Sequence, residues 1–174
     1  MLFRPEAQFE LAQRLRTQGI TLDEAFSFVS PLYFRGKLAY ASAFSRLSGH
    51  GVSNILLITP SRGLLPPETI VTLTEFRAIT GDNITAHNPG YRDPLERDLR
   101  ALSERIASDV RVVLLGSIAT KKYVPMLLQA FGGRLMVPRK FVGLGNMSRG
   151  ALLLRCLQQG CELEYVPATE IVEP

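Results

Sequence analysis

The sequence predicts an α/β fold, organised as a single three-layer domain with a short, mainly parallel sheet and N-terminal helices. Over residues 110–167, short apolar runs alternate with helix-like stretches, which is typical of a parallel sheet with right-handed crossovers. Over the first third of the chain, apolar residues recur instead at helical spacing. A length of 174 residues suits one domain with a real core better than two. We therefore expect one domain over 1–174, with a helical part over 1–50 and a sheet core over 51–174.

The N-terminal part has three helical segments. Apolar residues near helical spacing predict the first over 6–17, and Gly19 ends it. Thr21 followed by Glu24 is a capping-box signal, which predicts that a second helix begins there. The periodicity predicts a third helix over 33–47.

The sheet core is indicated by short apolar runs bounded by glycine, proline and polar residues. The predicted strands are 54–59, 110–116, 134–138 and 162–167. The predicted helices are 73–79, 95–107, a segment that begins late at Pro125, and 148–159. Asp93 and Pro94 suit the N-cap and first position of the helix at 95.

The basic residues favour a partner that carries phosphate or carboxylate groups. The formal net charge is +4, and the 20 basic residues comprise 16 Arg and 4 Lys. Arginine binds such groups with a planar, two-pronged fork, which lysine lacks. G+C-rich codon usage is the alternative source of this bias. Because the charges are scattered and modest in number, they do not establish nucleic-acid binding, and any positive patch must be assembled by folding.

Composition also excludes several classes of protein. The chain contains 46% hydrophobic residues, which is typical of a globular protein, and no apolar run approaches the roughly 18 residues of a membrane span. Glu6 and Glu10 stand where a signal peptide has its apolar core, so we expect a cytoplasmic protein without membrane contact. Two cysteines and two distant histidines form neither a disulfide scaffold nor a zinc motif, so no metal site is predicted.

Three loops are candidates for binding an anion. They are 59–63, 116–122 and 138–150, and each follows a predicted strand and contains glycine, a hydroxyl and a basic residue. Ligands of parallel sheets bind beyond the carboxyl ends of the strands, and helix N-termini attract negative oxygens. The predicted anion ligands are Arg62, Gly116, Ser117, Thr120, Lys121, Lys122, Gly143, Gly145, Ser148 and Arg149. Tyr33, Arg35 and Lys37, at a predicted helix start, are also compatible with an anion.

The glycine-rich segment 141–150 matches no standard nucleotide motif. Its spacing is G-x-G-x-x-x-x-G, and Ser148 stands where the dinucleotide fingerprint requires its third glycine. Gly145 and Gly150 have the P-loop spacing, but Ala and Leu follow instead of Lys and Ser or Thr. The alternative interpretation is that the glycines form turns only and that Ser148 is an N-cap.

Glu68 is the candidate general base. It follows two prolines after a predicted strand, so a rigid loop would position its carboxylate. The alternative is that Glu68 is a plain surface residue.

Three segments carry a resemblance to known proteins. With PSRGLLPPE (60–68), GSIATKKYV (116–124) and FVGLGNMSRG (141–150), the chain resembles an uncharacterised bacterial protein family of unknown function. More distantly, it is similar to small α/β domains associated with modified-base metabolism. The first resemblance implies no activity, and the second implies a nucleoside or nucleic-acid context.

From these observations we expect a protein that binds a phosphorylated ligand, a nucleotide or nucleoside phosphate, and that hydrolyses or transfers at it if it is an enzyme. The alternative is a non-catalytic nucleic-acid-binding or accessory module. A third interpretation, a scaffold whose glycines only make turns, also stays open. The sequence identifies no cofactor, reaction or oligomeric state.

Overall fold

The computed structural model describes residues 2, 4, 6–46, 53–81 and 84–171, and it has a mixed α/β fold. Its helices are α1 Glu10–Thr17, α2 Leu22–Val29, α3 Tyr33–Phe44, α4 Leu73–Gly81, α5 Pro89–Arg105, α6 Val124–Phe131 and α7 Asn146–Gln159. Its strands are β1 Ile20–Thr21, β2 Leu57–Ile58, β3 Leu64–Leu65, β4 Ile70–Val71, β5 Val112–Val113, β6 Leu135–Pro138 and β7 Tyr165–Pro167. Within these ranges no helix has both the length and the apolar character that a bilayer span requires.

The prediction of a mainly parallel sheet is wrong. In the largest sheet β5 pairs parallel with β6, but β7 pairs antiparallel on the other side of β6. The strands β1 and β4 form a separate antiparallel pair, and so do β2 and β3. Because β6 and β7 are antiparallel, the connection between them through α7 is not the right-handed crossover expected between parallel strands.

The three N-terminal helices are confirmed, with shorter bounds than predicted. The capping box is also confirmed, because the Glu24 carboxylate accepts a hydrogen bond of 3.1 Å from the backbone N–H of Thr21. The N-terminal part is not purely helical, however, since Ile20 of β1 pairs with Val71 of β4. The predicted boundary between residues 50 and 51 falls within 47–52, outside the described residues.

Helix α5 begins earlier than predicted, at Pro89 instead of after Pro94. The N-cap is Asn88, whose side-chain oxygen accepts a hydrogen bond of 3.1 Å from the backbone N–H of Gly90. An Asn–Pro pair supplies the same N-cap and first-position chemistry as the Asp–Pro pair five residues later. Pro94 therefore lies inside the helix.

Two buried tyrosines differ in how their hydroxyl groups are satisfied. The Tyr40 hydroxyl lies 2.7 Å from the Tyr165 hydroxyl and accepts a hydrogen bond of 2.7 Å from the backbone N–H of Leu163. The Tyr91 hydroxyl is buried and has no hydrogen-bond partner among the described residues. Burial raises the pKa of Tyr91 to about 12.

We expect Tyr91→Phe and Tyr40→Phe to change stability in opposite directions. Tyr91→Phe removes an unsatisfied buried hydroxyl, so the free energy of unfolding should stay constant or rise, whereas Tyr40→Phe should lower it by about 1–3 kcal/mol. Tyr91 also has a pH signature. Its pKa is about 12 in the folded protein and 10.0 in the unfolded chain, so the free energy of unfolding falls as pH rises through that interval. Tyr91→Phe should remove this fall. Denaturant unfolding of both variants from pH 8 to pH 12 tests this; equal destabilisation by both would contradict the assignment.

Candidate functional site

Helices α3 and α7 approach closely at two glycines. A Cβ atom on Gly150 would lie 3.3 Å from the Cα of Tyr33, and one on Gly36 would lie 3.4 Å from the carbonyl oxygen of Gly150. A side chain at Gly150 would press on the backbone of α3, whereas the first carbon of one at Gly36 would reach the edge of ordinary van der Waals contact. The close approach brings Lys37 and Arg149, which are the chain neighbours of these glycines, into the same region.

Arg149 is a buried cation without an ionic partner. It is only 6% exposed, and its Nε atom has no hydrogen-bond partner in the described part of the chain. No ion pair involving Arg149 occurs among the same residues. Its guanidinium carbon lies 5.6 Å from the ring centre of Phe141, a cation–π contact that compensates part of the lost hydration. Buried charges in proteins are normally paired, so this arginine requires an explanation.

Lys37 is a second cation beside the first. Its Nζ lies 4.4 Å from the ring centre of Tyr33 and 5.7 Å from that of Phe34. No carboxylate pairs with it among residues 6–46, 53–81 and 84–171. Burial lowers the pKa of Lys37, and the positive charge of Arg149 lowers it further.

Two tyrosine hydroxyls connect these cations to the segment that follows β5. The Tyr33 hydroxyl donates a long hydrogen bond of 3.5 Å to the carbonyl oxygen of Leu115. The Tyr123 hydroxyl accepts one of 2.9 Å from the backbone N–H of Ser117. Burial raises the pKa of both hydroxyls. Hydrogen bonding with the Arg149 guanidinium opposes this shift at Tyr33, the hydrogen bond from Ser117 opposes it at Tyr123, and the charge of Arg149 adds to the opposition at each. We call Arg149, Lys37, Tyr33 and Tyr123 the Arg149 cluster.

The predicted loop 116–122 contributes to this region mainly through its backbone. A Cβ on Gly116 would lie 2.8 Å from the Tyr123 hydroxyl oxygen, so glycine allows Tyr123 to reach the N–H of Ser117. The backbone N–H of Lys122 donates to the hydroxyl of Thr120 at 3.2 Å, within the loop itself. The side chains of Lys121 and Lys122 are exposed. Their role as anion ligands stays a prediction.

The predicted loop 138–150 supplies the start of α7. Gly145 is the N-cap of the helix, and Ser148 is an exposed residue of its first turn rather than a cap. Gly143 has a φ of 73°, a backbone conformation that favours glycine, so its place in a turn explains why glycine occurs there. Arg149 is the basic residue of this loop that is buried, whereas Arg139 and Lys140 are exposed.

The remaining predicted loop, 59–63, differs in kind from the other two. It connects the antiparallel strands β2 and β3, so it is a hairpin turn and not a strand-to-helix loop. Arg62 lies there with its Nη1 atom 3.8 Å from a carboxylate oxygen of Glu75, and both side chains are about half exposed. It also lines an open cleft of about 700 Å³ with Arg97 and Asp98, to which Arg149 does not contribute.

Glu68 is exposed, in a turn where the backbone N–H of Thr69 donates to the carbonyl oxygen of Pro66 at 3.1 Å. No hydrogen bond or ion pair of its carboxylate occurs among the described residues, and it lines neither the 700 Å³ cleft nor a largely apolar cavity of about 270 Å³ between α3, α5 and β5. Its role as a general base stays a prediction. No group of three or more metal-ligating side chains occurs in the described part of the chain.

Comparison with protein-family models, curated proteins and solved structures finds no match for this chain. The resemblances drawn from its three segments therefore stay predictions. Its function has to be argued from the Arg149 cluster.

Sequence reasoning found part of this cluster and missed the rest. Arg149 was predicted as an anion ligand, and Tyr33 and Lys37 were noted as compatible with one. Tyr123 was missed, because its hydroxyl acquires a role only through a turn that reaches back six residues to Ser117. The contact between Gly36 and Gly150 marks the site. The sequence does not reveal this contact, because it forms only when α3 packs against α7.

Proposed function

We propose that this chain binds a phosphate-bearing small molecule through the Arg149 cluster. The observation that carries the proposal is Arg149 itself, a guanidinium group that is 6% exposed and has no acidic partner among the described residues. Leaving a buried charge unpaired is costly, and folded proteins normally compensate it. An anionic ligand would supply the missing partner.

The groups around Arg149 favour phosphate over a carboxylate. Guanidinium donates two parallel hydrogen bonds to either group, but a phosphate monoester carries a charge of about −1.5 to −2 near neutral pH. Lys37 adds a second positive charge, which a doubly charged ligand matches. The hydroxyls of Tyr33 and Tyr123 remain protonated at neutral pH, since burial raises their pKa values. The Tyr123 hydroxyl accepts from Ser117 and keeps its own proton for a phosphate oxygen, whereas the Tyr33 hydroxyl would exchange its long bond to Leu115 for one to phosphate.

The burial of Arg149 favours a small ligand over a polynucleotide. Proteins bind the backbone phosphates of nucleic acids with side chains that extend from an exposed surface. Here the guanidinium is buried while the neighbouring Tyr33 and Lys37 are half-buried, so a ligand would enter from their side with a terminal phosphate first. A nucleotide or nucleoside phosphate fits this description, and the aromatic side chains nearby suit a base.

A thermal-shift titration tests the proposal. At about 100 times its dissociation constant, a ligand bound only by the native state adds about 2.7 kcal/mol, which raises the Tm of a chain of this size by about 5–10 °C. We expect such a shift with adenosine 5′-monophosphate and a smaller one with inorganic phosphate. Raising the salt concentration from about 50 mM to about 200 mM should weaken this binding only modestly, because one phosphate is contacted.

Two controls sharpen the experiment. Adenosine, which lacks the phosphate, should give no shift, and Arg155→Met removes an exposed arginine of the same helix without affecting the site. The opposite pattern would overturn the proposal: no shift with either phosphate compound, together with oligonucleotide binding that falls steeply with salt. That result would favour the non-catalytic nucleic-acid module.

A further inference from the structure

We propose that Lys37 forms an imine with an aldehyde or ketone whose anionic group is bound by Arg149. This inference rests on the proposed function and narrows it, because it assigns the ligand a carbonyl group as well as a phosphate. It gives the two cations of the cluster different roles. Arg149 binds the charge, and Lys37 attacks the carbonyl carbon.

The position of Lys37 supports this role. The Nζ atom lies against the Tyr33 ring, 4.4 Å from its centre, on the residue that follows the Gly36–Gly150 contact. The Lys37 side chain is half-buried, and burial penalises an unpaired ammonium group. In the described part of the chain no carboxylate pairs with this one.

The groups around Lys37 also favour its amine as a nucleophile. Desolvation and the neighbouring Arg149 both lower the pKa of Lys37, which increases the fraction of neutral amine at a given pH. Burial and a neighbouring cation are the two means by which proteins activate lysine for Schiff-base formation. A phosphate at Arg149 would neutralise one cation and fix the rest of the ligand within reach of the amine.

The step is balanced without any further reagent. The amine lone pair adds to the carbonyl carbon, forming a C–N bond, and the oxygen takes a proton from the nitrogen to give a carbinolamine. The hydroxyl group then leaves with the second nitrogen proton as water, and a C=N bond forms. One amine and one carbonyl give one imine and one water, with no oxidant or reductant.

Borohydride trapping tests the inference directly. The native protein is incubated with pyridoxal 5′-phosphate, an aldehyde that carries a phosphate, then reduced with sodium borohydride and mapped by peptide mass spectrometry. The chain has four lysines, and the other three, Lys121, Lys122 and Lys140, are exposed and serve as internal references. We expect Lys37 to be labelled at least about tenfold more than each of them, because a phosphate bound at Arg149 would hold the aldehyde beside its amine.

Matched reagents and variants separate the two proposals. Labelling of Lys37 should fall with pyridoxal, which lacks the phosphate, and with excess inorganic phosphate as competitor. Lys37→Arg should remove the selective label, and Lys140→Arg should leave it unchanged. Phosphate binding with no preference for Lys37 would overturn the imine and leave the proposed function standing. Failure of both phosphate binding and selective labelling would overturn both, and equal labelling by pyridoxal would overturn the role of Arg149 in directing the carbonyl.

Discussion

Replacing Arg149 by methionine is expected to weaken phosphate binding at least about tenfold and to leave the protein at least as stable as before. Hydrogen bonds from a charged donor contribute about 1.5–3 kcal/mol each, so the loss of this donor should weaken binding of adenosine 5′-monophosphate by tenfold to more than a hundredfold. Methionine retains much of the apolar stem against Phe141 but removes a buried charge that has no ionic partner among the described residues. The free energy of unfolding should therefore stay constant or rise by about 1–3 kcal/mol.

Isothermal titration and denaturant unfolding on the same samples measure both quantities. Arg155→Met is the control, since it removes an exposed arginine from α7. Arg149→Lys adds a second comparison, because lysine keeps the charge and loses the two-pronged geometry. If Arg149→Met lowers affinity and stability together, the arginine is a structural element and not a binding residue.

Replacing Gly150 by valine is expected to destabilise the fold and to disrupt the site at the same time. The first added carbon would lie 3.3 Å from the backbone Cα of Tyr33, and the two methyl groups of valine would extend beyond it. Overpacking of this kind costs about 1–3 kcal/mol, which exceeds the helix propensity gained by removing a glycine. Because α3 must move away from α7, Lys37 and Arg149 separate, and phosphate affinity should fall by at least about tenfold.

The matched control is Gly133→Ala, where an added Cβ would meet nothing within 4 Å. This variant should change neither the melting temperature nor the affinity. Gly36→Ala is an intermediate case, since its Cβ would lie 3.4 Å from the carbonyl oxygen of Gly150. A Gly150→Val protein that binds phosphate with unchanged affinity would show that the site does not depend on the approach of the two helices.

The sequence was most informative where structure is local. The capping box at Thr21 predicted the start of α2, and the apolar run at 134–138 predicted β6 almost to the residue. Both signals depend on a few neighbouring side chains. At Asn88–Pro89 and Asp93–Pro94, two equivalent local signals competed, and the sequence alone did not distinguish them.

Strand pairing could not be predicted in the same way. β1 and β4 are two residues long and lie about fifty residues apart in the chain, so no periodicity marks either of them. The hairpin of β2 and β3 was interpreted as one strand followed by a loop, because a Pro–Ser–Arg–Gly turn looks the same before a helix or a returning strand. Such short strands are determined by their tertiary neighbours and not by intrinsic propensity.

The sequence predicts Arg149 as a residue of the site, but it does not reveal that this residue is buried. Arg149 was selected as a residue of a glycine-rich loop before a helix, whereas its distinctive property is burial against α3. Lys37 lies 112 positions earlier in the chain, and only the packing of Gly36 on Gly150 brings it close. Arg62, which the loop argument grouped with Arg149, lies instead in a hairpin turn beside Glu75.

The most direct test of a buried anion site is a crystal structure of the protein soaked in tungstate, a heavy analogue of phosphate. We expect an anomalous difference peak within hydrogen-bonding distance of the Arg149 guanidinium, with Tyr33 or Lys37 contacting the same ion. Peaks confined to exposed arginines, with none beside the Arg149 guanidinium, would contradict a buried anion site.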